Sequence, residues 1–212
     1  MAQNTDLRKI EKKVWTSYFE DGLLEIALGV IMLVAVLSST MDAIGVSDEV
    51  RISIYIPLMV IVPALIVLLG KRYITMPRLG VAKFGPRWMR RSLIMFVGLI
   101  CVQLVLLAML FLKWFYTVGP AWLGSAIVTL NIFVAFCLIA YLLKNRRMYV
   151  VGVLFAMSEP VWFYLSNYSN TVYNGLIAYG IPAIMVIAMG SITLRRFIRK
   201  YELPTKETPD AN

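Results

Sequence analysis

Six stretches of the chain are almost wholly apolar, at residues 22–40, 52–70, 92–112, 121–143, 149–168 and 175–194, and short polar connections separate them. Each approaches or exceeds the ~20 residues that cross ~30 Å of hydrocarbon at a rise of ~1.5 Å per residue. Within lipid, backbone N–H and C=O groups must be satisfied inside the segment itself, so runs of this length predict α-helices. The expected fold is therefore an all-α integral membrane protein with six transmembrane helices in three hairpins, spread over residues 22–194. Glu159 and Pro160 interrupt the fifth run, so continuous and broken helices are both open there.

Ahead of the first span the pattern changes. Leu7, Ile10, Val14, Trp15, Tyr18 and Phe19 recur at helical spacing, while Arg8, Lys9, Lys12 and Lys13 fill the other face. This predicts an amphipathic helix lying on the membrane surface within residues 1–21, with a basic tail as the alternative. Residues 1–20 hold no uninterrupted apolar run, so a secretory signal is not expected. Residues 195–212 form a polar C-terminal tail.

The polar connections orient the bundle. Basic residues precede the first span, fill the 71–91 loop (Lys71, Arg72, Arg78, Lys83, Arg87, Arg90, Arg91), return at Lys144, Arg146 and Arg147, and follow the sixth span at Arg195, Arg196, Arg199, Lys200 and Lys206. Only Arg51 and Lys113 fall opposite. By the positive-inside rule both termini are expected in the cytoplasm. Trp114, Tyr116, Trp122, Trp162 and Tyr168 then sit toward the external ends of spans, as aromatic belts do.

Composition agrees with this picture and narrows the chemistry. The chain is 60% hydrophobic with mean hydropathy +0.76, beyond the ~45–50% apolar usage of soluble domains. Its net charge of +9 comes from residues clustered at span ends, which points to anionic lipid on the cytoplasmic side and not to nucleic acid. Histidine is absent, removing the commonest general base and metal ligand. Cys101 and Cys137 lie within apolar runs without CxxC spacing. No metal site, cofactor or catalytic constellation can be assembled from these residues, so an enzyme is disfavoured.

Two segments, SYFEDGLLEIALG (Ser17–Gly29) and YITMPRLGVAKFGP (Tyr73–Pro86), resemble an uncharacterised family of prokaryotic multi-pass membrane proteins. Met76 and Val81 depart from its pattern, standing where that family's loop has aromatics. The resemblance implies a prokaryotic cytoplasmic membrane and brings no activity.

Three groups of residues are candidates for chemistry. Two carboxylates, Glu25 and Glu159, fall inside predicted spans, where ionisable groups are functional candidates by default. Glu25 lies one turn into the first span, within reach of Lys71 or Arg72, and an interfacial ion pair is expected. Glu159 falls about 15 Å into the fifth span by the helical rise. Gln103 and Asn131 reach a similar depth in the third and fourth. These three are solute-binding or proton-linked candidates, with interhelical hydrogen bonding as the equal alternative. In the basic loop, Arg78, Lys83, Arg87, Arg90 and Arg91 are candidates for anionic lipid or phosphate, although topology by itself demands positive charge there. Two function classes follow: a small-solute or ion transporter or channel, or a subunit of one; and a non-transporting scaffold that binds anionic lipid or another membrane protein. A bundle this small is also a candidate for pairing with itself.

Overall fold

The computed structural model describes residues 19–79, 97–98, 101, 121–169, 171 and 173–202. Among these residues the protein is all-helical, with five helices long and apolar enough to cross a membrane. They are α1 (Leu23–Ala43), α2 (Asp48–Leu79), α3 (Ala121–Leu143), α4 (Arg147–Tyr168) and α5 (Tyr173–Lys200). Most of the expected span at 92–112, most of the expected surface helix within residues 1–21, most of the basic loop and the tail beyond Glu202 lie outside the described residues.

One detail differs from expectation, and one alternative left open is decided. Helix α2 does not stop at Gly70: it continues through a π-helical segment, Lys71–Thr75, and a last turn, Met76–Leu79, so the basic connection begins later. Helix α4 runs unbroken through Pro160. Apolar runs fix where a helix must be hydrogen-bonded but not where it ends, because polar residues at the interface extend a helix when something holds them.

Helix α1 is the centre of the bundle. It runs antiparallel to α2, reached through the turn at Ile44–Ser47, and antiparallel to α5. The approach to α5 is close because glycines stand at the crossing. A Cβ on Gly190 would fall 2.9 Å from both Gly22 O and Ile26 N, and Gly22 itself has φ +79°. Without much hydrophobic force between helices in lipid, such backbone approach and its dispersion contacts are what hold the pair together. Helices α3 and α4 form a second pair, in which Phe136 packs on Phe155 with ring centroids 4.8 Å apart and Phe136 seats over Gly152. Met32, Phe136, Val151, Ala183 and Val186 make the buried core that joins the pairs.

Helix α2 is the outlier: of its intramembrane residues only Pro63 is buried, and Ile52, Ile56, Val60, Ile61, Leu65 and Leu68 are exposed. In a membrane protein that face is solvated by lipid tails.

The two ends differ in charge. Lys71, Arg72, the α3–α4 turn and the C-terminal part of α5 gather at one end, called here the basic end. Asp42, Asp48, Glu49 and Arg51 mark the other.

Candidate functional site

Polar side chains collect at two levels. At the basic end Asp21, Glu25 and Thr75 are fully buried. Asp21 Oδ1 accepts the Leu23 N–H at 3.2 Å and so starts α1, while Oδ2 accepts from Thr75 Oγ1 at 2.9 Å and from Lys71 Nζ at 3.3 Å. The π-helical segment supplies both partners. Its wider turn re-phases side chains by about 100°, one residue's rotation, relative to an unbroken α-helix. The two segments that carry the family resemblance therefore meet at Asp21 and Thr75.

Glu25 is paired elsewhere than expected. Its Oε1 lies 3.5 Å from Arg147 Nε and accepts from Asn145 Nδ2 at 3.3 Å. Lys71 is held instead by Asp21, and Arg72 stacks its guanidinium near the Tyr73 ring, 6.0 Å from its centroid. The reason is distance along the helix: Asp21 caps α1 at the level where α2 passes, and Glu25, one turn deeper, faces the start of α4. Asn145 binds this corner together, since its Oδ1 also accepts from Arg147 N at 3.1 Å. The Arg147 guanidinium donates further to Thr193 of α5.

Beside this knot lies a cavity of about 510 Å³, lined by Lys144, Arg146, Arg147, Arg196 and Lys200 with Glu20, Thr193 and Tyr201. Of the anticipated lipid-binding arginines only Arg78 is described. It donates to its own helix at Ile74 O, 2.9 Å, and Lys83, Arg87, Arg90 and Arg91 lie outside the described residues.

The second level surrounds Glu159, which is half-buried. Its Oε2 accepts from the Tyr179 hydroxyl at 2.9 Å. Tyr179 belongs to the other π-helical segment, Leu176–Gly180, within α5. Both residues line a cavity of about 550 Å³ among α1, α2, α4 and α5, with Tyr55, Phe155, Trp162, Ser38 and Ser39 in its wall and Asp42 and Arg51 at its far end. Trp162 Nε1 donates to Ser39 Oγ at 3.2 Å, tying α4 to α1 there. At the mouth Arg51 is bonded to Asp42 and, at 2.6 Å, to Asp48.

Of the three expected midplane residues, then, Glu159 lines a cavity. Asn131 sits half-buried on α3 and does not line it, although its neighbour Ile132 does; Gln103 lies outside the described residues. Sequence reading missed Tyr55 and Tyr179, which scan as ordinary span aromatics. It missed Asn145 and Arg147 because nothing in the hydropathy pattern sets α4 beside α1. Among the described residues no group of His, Cys, Asp and Glu could hold a metal ion.

Searches against protein-family models, curated proteins and solved structures find no match to the chain. Function is accordingly argued from the two polar levels alone.

Proposed function

We propose that this is a six-span protein of a prokaryotic cytoplasmic membrane, with both termini cytoplasmic, that takes small solutes into the Glu159 cavity as a transporter, a channel or a subunit of one. The observation that carries this reading is a half-buried carboxylate on the wall of a cavity of about 550 Å³ that extends to the Asp42–Arg51 end. Pockets of this size with a few convergent polar groups are the usual form of a small-molecule site. The six-span count is supported by connectivity. Among the described residues α2 ends at the basic end and α3 begins at the opposite one, and the sequence holds a further apolar run at 92–112 between them.

Thiol labelling tests the cavity. In a background with Cys101 and Cys137 replaced by Ser, Ser38→Cys should react with a membrane-impermeant reagent applied from the periplasmic side. A thiol that stays unreactive in native membranes would overturn the reading. Reporter fusions test the topology: position 45 should be external and the C-terminus cytoplasmic, and an external C-terminus would remove the six-span arrangement.

A second reading, a scaffold that docks anionic lipid, is favoured by the basic cavity, where five cations from the α3–α4 turn and α5 surround about 510 Å³ at the headgroup level.

A further inference from the structure

We infer that the solute taken by the Glu159 cavity is a small organic cation, an ammonium or guanidinium group on a compact body. The inference rests on the reading of this cavity as a solute site and names its chemistry.

Among the described residues Glu159 has no ion-pair partner. Its hydrogen-bond partner is a neutral hydroxyl, that of Tyr179, and among the described residues the only cation lining the cavity is Arg51. Arg51 is already engaged by Asp42 and Asp48 at the mouth. A half-buried carboxylate that faces a cavity with no cation beside it leaves room for one from solution.

The wall around it selects an organic cation. Phe155, Glu159 and Trp162 are spaced four and three residues apart on α4, so they share one face, with the carboxylate between two aromatic rings. Tyr55 and Tyr179 add rings from α2 and α5. Aromatic faces attract alkylammonium and guanidinium groups through their quadrupoles, and a cage of several rings suits a cation too large to shed its charge onto oxygen ligands. An inorganic ion such as Ca²⁺ or Mg²⁺ needs about six oxygen ligands. This wall offers two carboxylates, two phenols and two serines; of these, Asp42 is already bonded to Arg51 and Ser39 already accepts from Trp162.

The mouth agrees in sign. Arg51 is bonded to both Asp42 and Asp48, and Glu49 follows at the start of α2, so among the described residues this end is net negative, which raises the local concentration of cations and repels anions.

The test uses the full-length protein in lipid nanodiscs and three probes: choline, methylguanidinium, and 3,3-dimethylbutan-1-ol, the uncharged carbon counterpart of choline. Calorimetry should show at least one cation binding about tenfold or more tighter than the neutral alcohol. Glu159→Gln should erase that preference, an effect of about tenfold for a charge-assisted contact. Trp162→Leu should weaken cation binding about two- to fivefold through the lost ring, with the thermal transition checked to exclude unfolding. If cation and alcohol bind equally, and Glu159→Gln alters neither, the cation inference is overturned while the solute cavity stands. Binding of neither cation also overturns it. If Ser38→Cys in addition resists aqueous thiol reagent, the solute reading falls with it.

Discussion

The two carboxylates inside spans occupy opposite kinds of environment. Glu25 is wholly buried and lies against Arg147 and Asn145, with Asp21 and Lys71 close by; every element at the basic end contributes to that corner. Glu159 is half-buried, touches one neutral hydroxyl and opens onto a cavity. A buried carboxylate paired through one oxygen with Arg147 and Asn145 ties α1 to the start of α4, although its Oε2 is left without a hydrogen-bond partner. One left with a single phenol beside open space is available to something else. The contrast separates a structural charge from a functional one on grounds that hydropathy does not contain.

The largest expected effect attacks the structural side. Arg147→Met strips the cation from buried Glu25 and should destabilise the protein by about 3 kcal/mol, toward the lower end of the usual range because Arg147 keeps partial exposure. Adding Glu25→Gln should recover most of it. Chemical unfolding of solubilised protein measures both, and an Arg147→Met transition indistinguishable from wild type would erase the distinction between the two carboxylates. Next in size, Gly190→Ala forces a methyl against Gly22 O and Ile26 N. About 2 kcal/mol of lost stability is expected, as for overpacking elsewhere.

On the other side of the comparison, Glu159→Gln should change stability by less than about 1 kcal/mol, since polar contacts between membrane helices average ~0.6 kcal/mol. A large loss of stability there, with thiol access at Ser38→Cys unchanged, would make Glu159 a packing residue like Glu25. The smallest stability effect is expected from Arg196→Gln with Lys200→Gln at the rim of the basic cavity. Unfolding should not move, but anionic lipid retained through purification should fall, each cation contributing about 1 kcal/mol at an anionic surface. Unchanged retention would count against the lipid-docking reading.

The spans were legible in the sequence because hydrocarbon imposes one rule on every residue that crosses it. The expected runs at 22–40, 121–143 and 149–168 meet helices Leu23–Ala43, Ala121–Leu143 and Arg147–Tyr168 within a few residues. Neighbour relations were not legible. Nothing in the pattern places α5 against α1 or Arg147 beside Glu25, since each span is apolar nearly all round and points in no preferred direction. The π-helical segments were also hidden, although they present Lys71 and Thr75 to Asp21 and Tyr179 to Glu159. One added residue per turn leaves no compositional trace.

The seating of α1 between α2 and α5 has a consequence for biogenesis. Helix α1 and the turn before it carry Asp21, Glu25 and two close-packed glycines, whose partners lie at very different distances along the chain. Lys71 and Thr75 reach Asp21 as soon as the second span follows, whereas Asn145 and Arg147 reach Glu25 only after some 120 further residues have been made. The glycines wait for α5, the last of the described helices. During synthesis, then, α1 stays open to lipid or to the insertion machinery until α5 packs on it, and a chain cut short before Tyr173 keeps an unsealed α1, a natural mark for quality-control proteolysis.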